Sequence, residues 1–171
     1  MPDLREKVTR PLEACLGHEL REAWYHCLAG ESDGTDLDDP ALYIGGEVHL
    51  FFGEGKALVI TWDENAGWEC HFSLVVADVS QFKLGALHPW RATALPPWSE
   101  AIGSRLLSAS VYGFSEKPHL VCLSFSNEAA IFVGCGRNKK FGEGDDILVR
   151  SSENMTDISH WDVLWSGPTV Q

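Results

Sequence analysis

The stretch from Leu42 to Ala77, LYIGGEVHLFFGEGKALVITWDENAGWECHFSLVVA, constrains this chain more than any other. In it, runs rich in β-branched and aromatic residues are separated by two turn sequences, Gly53-Glu54-Gly55-Lys56 and Asp63-Glu64-Asn65-Ala66-Gly67. Glycine supplies the positive φ that hairpin connections need, so the pattern predicts three antiparallel strands over residues 42–77. Strand alternation then puts Phe51, Leu58, Ile60, Trp62, Trp68, Cys70 and Phe72 on the core face. Val48, Leu50, Val59, Thr61, Glu69, His71 and Ser73 fall on the other. A one-residue change in either loop exchanges the two sets.

A weaker echo follows, in which VHLFFGEGKALVITWD aligns over VYGFSEKPHLVCLSFS. Val48 matches Val111, Phe51 matches Phe114, and Leu58, Ile60 and Trp62 match Val121, Leu123 and Phe125. The echo predicts a second meander over residues 105–136. Leu107, Ala109, Val111, Cys122, Ile131 and Val133 would line one side, and Tyr112, Phe114, Val121, Leu123, Phe125 and Phe132 the other. With both sides apolar, that sheet is expected to be covered on both faces. Two further strands are expected within residues 145–166. The connection over residues 81–103 carries Trp90 and Trp98 beside prolines. They either present rigid aromatic surface to a partner or plug one end of the sheet, and the sequence favours the plug.

Ahead of the strands, residues 3–29 place Leu4, Val8, Leu12, Leu16, Leu20, Trp24 and Leu28 at intervals of four, which predicts a helix with Pro11 in its first turn or at a kink. His18, Glu22 and His26 would share one flank of that helix, and they form the sharpest metal-ligand candidate. The same spacing is ordinary on a polar helix face, and three ligands rising along two turns reach too far for one ion. A chain of 171 residues suits one domain, 1–171, burying roughly 70% of its unfolded surface. The expected fold class is α+β, mainly β: an N-terminal helix on two antiparallel three-stranded meanders that form a curved sheet, a sandwich or an open barrel.

Composition narrows the function. The net charge of −12, with only 13 Lys and Arg, disfavours a nucleic-acid partner, whose phosphates are held chiefly by cations. Arg137-Asn138-Lys139-Lys140 is the one basic run, and a solvated turn explains it. The acidic linker over residues 31–40 lacks the spacing of a calcium loop. No apolar run reaches the ~18 residues of a membrane span, and the N-terminus lacks a signal-peptide core. Five cysteines without a C-x-x-C pair suggest buried thiols in a reducing cytoplasm.

Phosphate-binding loops, dinucleotide fingerprints, nucleophile elbows and zinc-protease motifs are all missing, so neither catalysis nor a cofactor is expected. What remains is a pair of E-x-H patterns, Glu47 with His49 and Glu69 with His71. On one face they would make a metal or acid–base site. The alternation above instead separates them, with His49 toward the core and His71 opposite.

In size, acidity, tryptophan content and meander pattern the chain resembles bacterial immunity proteins and other interaction proteins, a likeness of composition that transfers no site residue. The expected function is therefore a non-enzymatic cytoplasmic interaction protein with an acidic surface and a protein partner, a basic one being the natural complement. The alternative is a small-molecule-binding or hydrolytic barrel with a pocket lined by Glu47, His49, Glu69, His71, Trp90 and Trp98. A homodimer built on exposed sheet edges is a third expectation.

Overall fold

The computed structural model describes residues 8–28, 42–44, 47–62, 72–76, 87–114, 117–134, 147–154, 158–159 and 161–170. A short helix, α1 (Arg10–Cys15), leads into β1 (Leu20–Leu28), β2 (Leu42–Ile44), β3 (Glu47–Phe52), β4 (Ala57–Trp62), β5 (Phe72–Val76) and β6 (Leu87–Arg91). Then come α2 (Trp98–Ala101), β7 (Leu106–Phe114), β8 (Lys117–Phe125), β9 (Ala130–Gly134), β10 (Ile147–Ser151) and β11 (Asp162–Ser166). The strands form a five-stranded sheet, β5-β4-β3-β1-β6, and a six-stranded one, β11-β7-β8-β9-β10-β2. The fold is thus α+β and mainly β, with one meander in each sheet: β3-β4-β5 in the first and β7-β8-β9 in the second.

One apolar core lies between the sheets. Tyr25, Leu50, Leu58 and Ile60 from the first and Ala109, Val111, Leu123 and Val133 from the second belong to a single buried cluster. Two sheets that bury their inner faces against each other make a sandwich. Leu12 and Cys15 of α1 join the same cluster, so the helix packs into the core as a plug. Backbone bonds tie the start of β1 to the segment that leads into β7, from Leu20 to the Ser104 carbonyl (2.9 Å) and from Gly103 to the Leu20 carbonyl (2.9 Å). Among the described residues no helix is long and apolar enough to cross a membrane.

Several details differ from the sequence expectation. The connection expected over residues 81–103 contains β6 and α2, and Leu42–Ile44, expected in the first meander, pairs with β10 in the second sheet. Among the described residues of the 3–29 stretch, α1 covers Arg10–Cys15, and Leu20–Leu28 is a strand at the heart of the first sheet. An interval of four is a multiple of two, so Trp24 and Leu28 fit a strand's alternation as readily as a helix's turn, and a bulge between Leu20 and Glu22 turns Leu20 to the core face. Aromatic Trp24, Tyr25 and His26 favour the strand. Gly17, at φ 79°, takes the left-handed conformation that ends α1.

The first meander is shifted by one residue. Glu54 (φ 59°) and Gly55 (φ 71°) make the turn, Phe52 bonds to the Lys56 carbonyl (2.8 Å), and Leu50 stands opposite Leu58. Val48, Leu50 and Phe52 therefore face the core with Leu58 and Ile60, whereas His49 and Phe51 point outward. In the second meander a bulge between Tyr112 and Gly113 sets Val111 against Val121 and Ala109 against Leu123. Val121, Leu123 and Phe125 consequently share the inner face, and Cys122 lies on the outer one. That outer face is covered, as its composition predicts: Leu120, Leu148 and Trp161 form a second buried cluster with Tyr112, Phe132 and Ile158 against it.

Candidate functional site

The one-residue shift in β3 assembles the site. Outward-facing positions on the first sheet are Glu22, Trp24 and His26 on β1, Glu47, His49 and Phe51 on β3, and Val59 and Thr61 on β4. Across the β1–β3 ladder Glu47 stands opposite His26 and His49 opposite Trp24. Glu47 and His49 are two residues apart on one strand, so their side chains share this face.

His26 is 6% exposed and His49 only 2%. Their rings stack with centroids 3.8 Å apart and planes 10° from parallel. The His49 Nε2 lies 2.6 Å from Glu47 Oε2, and the Thr61 hydroxyl donates to Glu47 Oε1 at 3.3 Å. With Glu47 ionised, the short contact is a charge-assisted bond in which the imidazole N–H donates. The hydrogen bond from His49 holds the Glu47 carboxyl below its ordinary range, outweighing burial, which acts the other way. Burial, reinforced by the His49 ring, pushes His26 from 6.5 down to about 4, against the pull of Glu47. At neutral pH the site therefore holds a carboxylate and at least one neutral imidazole with a free nitrogen lone pair.

One ligand atom from each of His26, Glu47 and His49 lies within 4.8 Å of the others. The near-parallel rings do not aim at a common point as they stand, because a metal sits in the plane of each imidazole it binds.

Beside this cluster lies a second polar group. The Trp24 indole N–H donates to Glu22 Oε2 (2.8 Å), and Arg91 on the edge strand β6 pairs with Glu22 Oε1 (3.2 Å). The Arg91 guanidinium sits 5.9 Å from the Trp24 ring centroid, within cation–π range. The Arg91 and Glu22 side chains are 58% and 40% exposed, so this end of the face meets solvent while the two histidine rings are buried.

The sequence candidates divide accordingly. Of the proposed helical trio, His26 joins Glu47 and His49, Glu22 joins Trp24 and Arg91, and His18 lies before β1, 3.8 Å from Glu54. The trio does not assemble, because a strand separates residues four apart by about 13 Å, more than twice their separation along a helix. Glu69 and His71 lie outside the described residues. Trp98 is fully buried, its indole N–H bonded to the Tyr25 hydroxyl, and Trp90 packs its ring against Tyr25 with centroids 5.6 Å apart. Trp98 is thus part of the core, while Trp90 is half-buried on β6. The pairing of His26 with Glu47 and His49 escapes the sequence reading, although the alternation Glu22, Trp24, His26 carries the signal once β1 is recognised as a strand.

Comparison of the chain with protein-family models, curated proteins and solved structures finds no match.

Proposed function

We propose that this protein is a non-enzymatic binding protein that engages a protein partner through the outer face of its first sheet, where Trp24, Arg91 and Glu22 reach solvent. The observation that carries this reading is the braced tryptophan. Trp24 is held by a carboxylate on its own strand and flanked by an arginine on the next, so its rotamer is set before any partner arrives. Tryptophan and arginine are the side chains that most often dominate binding energy, and a prearranged pair loses little entropy on docking. The charge of −12 supports a basic partner drawn in over a distance set by ionic strength.

The competing reading, a ligand-binding or hydrolytic barrel, needs polar groups lining the interior. Between the sheets the described interior is apolar, and Glu47 and His49 lie on the opposite side of the first sheet. No observation therefore favours it.

The test is capture from native lysate at low and high salt, using the wild-type protein, Trp24→Ala and Arg91→Ala. A specific partner that weakens with salt and is lost from both variants is the expected result. Failure to capture any salt-sensitive partner, or equal capture by the variants, contradicts the proposal.

A further inference from the structure

A covered sheet face is ordinarily filled with apolar side chains, as the outer face of the second sheet is by Leu120, Leu148 and Trp161. At the corresponding place on the first sheet stand two imidazoles and a carboxylate. Burying such groups is expensive, and apolar residues of similar volume would serve packing at least as well. Their presence therefore calls for a ligand that needs nitrogen and carboxylate donors together.

We propose that His26, Glu47 and His49 form a binding site for a divalent transition-metal ion, with Zn²⁺ the best match. Two imidazole nitrogens and one carboxylate oxygen make a three-ligand set of the kind zinc accepts, with a fourth position left for water or a group from a partner. Magnesium and calcium prefer all-oxygen ligands, which argues against both here. The positions follow from the fold: β3 supplies two donors from one face, and β1 supplies the third directly opposite. The Glu47 side chain is 29% exposed, which gives an ion a way in past two buried rings. Thr61 already orients the carboxylate through Oε1, as an outer-shell partner does at a metal site.

The stacked arrangement is then the metal-free state. For both rings to point a nitrogen at one ion, one of them must rotate out of the 10° stack, and the 2.6 Å His49–Glu47 contact must open to admit the ion between them. Binding is accordingly tied to a visible change, the unstacking of His26 from His49. The inference uses the same face as the partner proposal but does not rest on it, and failure of the capture experiment leaves it standing.

The experiment is calorimetric titration of metal-stripped protein with Zn²⁺, together with Co²⁺ absorption spectroscopy and histidine-ring NMR of the wild type. Glu47→Gln and His26→Ala are the test variants, with His18→Ala as control. One equivalent of Zn²⁺ should bind, and Co²⁺ should give the intense visible bands of a four-coordinate ion. The ring resonances of His26 and His49 should move while that of His18 stays. Glu47→Gln, nearly isosteric and partly exposed, should weaken binding by at least about ten-fold, a loss of the size seen when even outer-shell partners are removed. His18→Ala should bind as wild type does. Absence of stoichiometric binding by the folded wild type overturns the proposal. So does binding that leaves the His26 and His49 resonances unmoved, or binding that Glu47→Gln retains at full strength. The ring resonances are read on the wild type, so poor folding of a variant does not blunt the test.

Discussion

The two sheets turn similar apolar inner faces to each other and very different outer faces away. On the second sheet the outer face is sealed by Leu120, Leu148 and Trp161, with Tyr112, Phe132 and Ile158 beside them. On the first it carries His26, Glu47 and His49, at comparable burial for the two histidines, and then opens toward Trp24, Glu22 and Arg91. An apolar cover adds stability and little else. A buried face that holds titratable groups forgoes some of that stability, and this difference is the ground for the proposed metal site on the first sheet.

The contrast can be broken from either side. The largest effect is expected from Trp161→Ala, which empties the apolar cover of the second sheet and should destabilise the protein by about 3–5 kcal/mol in denaturant unfolding. A loss below about 1 kcal/mol would mean that this cover contributes no more than an exposed face.

Next in size is a pH effect confined to the first sheet. In the metal-free protein His26 has its folded pKa depressed from 6.5 to about 4, so between those values the unfolded chain binds more protons than the folded one. Stability is then fully present above about 6.5 and falls as pH drops toward 4, by up to about 3 kcal/mol at roughly 1.4 kcal/mol per unit. Glu47, also depressed, adds a loss of the same sign at lower pH. The charged or titratable neighbours that bear on His26 are Glu47 and His49 from β3. Urea midpoints across pH 4–7 measure the slope, and a flat profile would contradict the burial of a neutral imidazole.

Smaller still is the expected change in His26→Leu. This substitution makes the first face resemble the second and keeps the Glu47–His49 bond. At pH 7 its stability should lie within about 1.5 kcal/mol of wild type, the range of a volume-matched swap. At pH 5 it should exceed wild type, because the proton-linked loss is gone. The smallest effect concerns the thiols: burial pushes Cys15 up to about 12 and raises Cys122 as well, so both should resist alkylation until the chain unfolds. Fast labelling of Cys122 in the native protein would show that the second outer face is open.

How far the sequence exposes this design depends on parity. The hairpin at Gly53–Lys56, the second meander and the covering of its outer face are legible, because turn residues and apolar runs are local signals. The assignment of inner and outer faces is not, since it hangs on loop geometry. A turn with Glu54 and Gly55 both at positive φ moves His49 from the core face to the outer one, and the bulge at Tyr112–Gly113 brings Ala109 and Val111 onto the face of Val121 and Leu123, away from Cys122. Leu20–Leu28 is ambiguous for another reason: its four-residue spacing fits either period, and only packing in the centre of a sheet decides. The candidate site needs both pieces of information at once, β1 as a strand and β3 in its shifted register, and so Glu47 and His49 are visible as a pair while their neighbour His26 is assigned to a helix.

The most direct test of the central claim is crystallography of the protein grown with Zn²⁺, with anomalous scattering recorded at the zinc edge. The account predicts one strong peak bonded to His26, Glu47 and His49 at about 2.0–2.2 Å, with the two rings no longer stacked. A structure in which the rings keep their 3.8 Å stack with no peak between them, or in which zinc sits elsewhere on the chain, would contradict it.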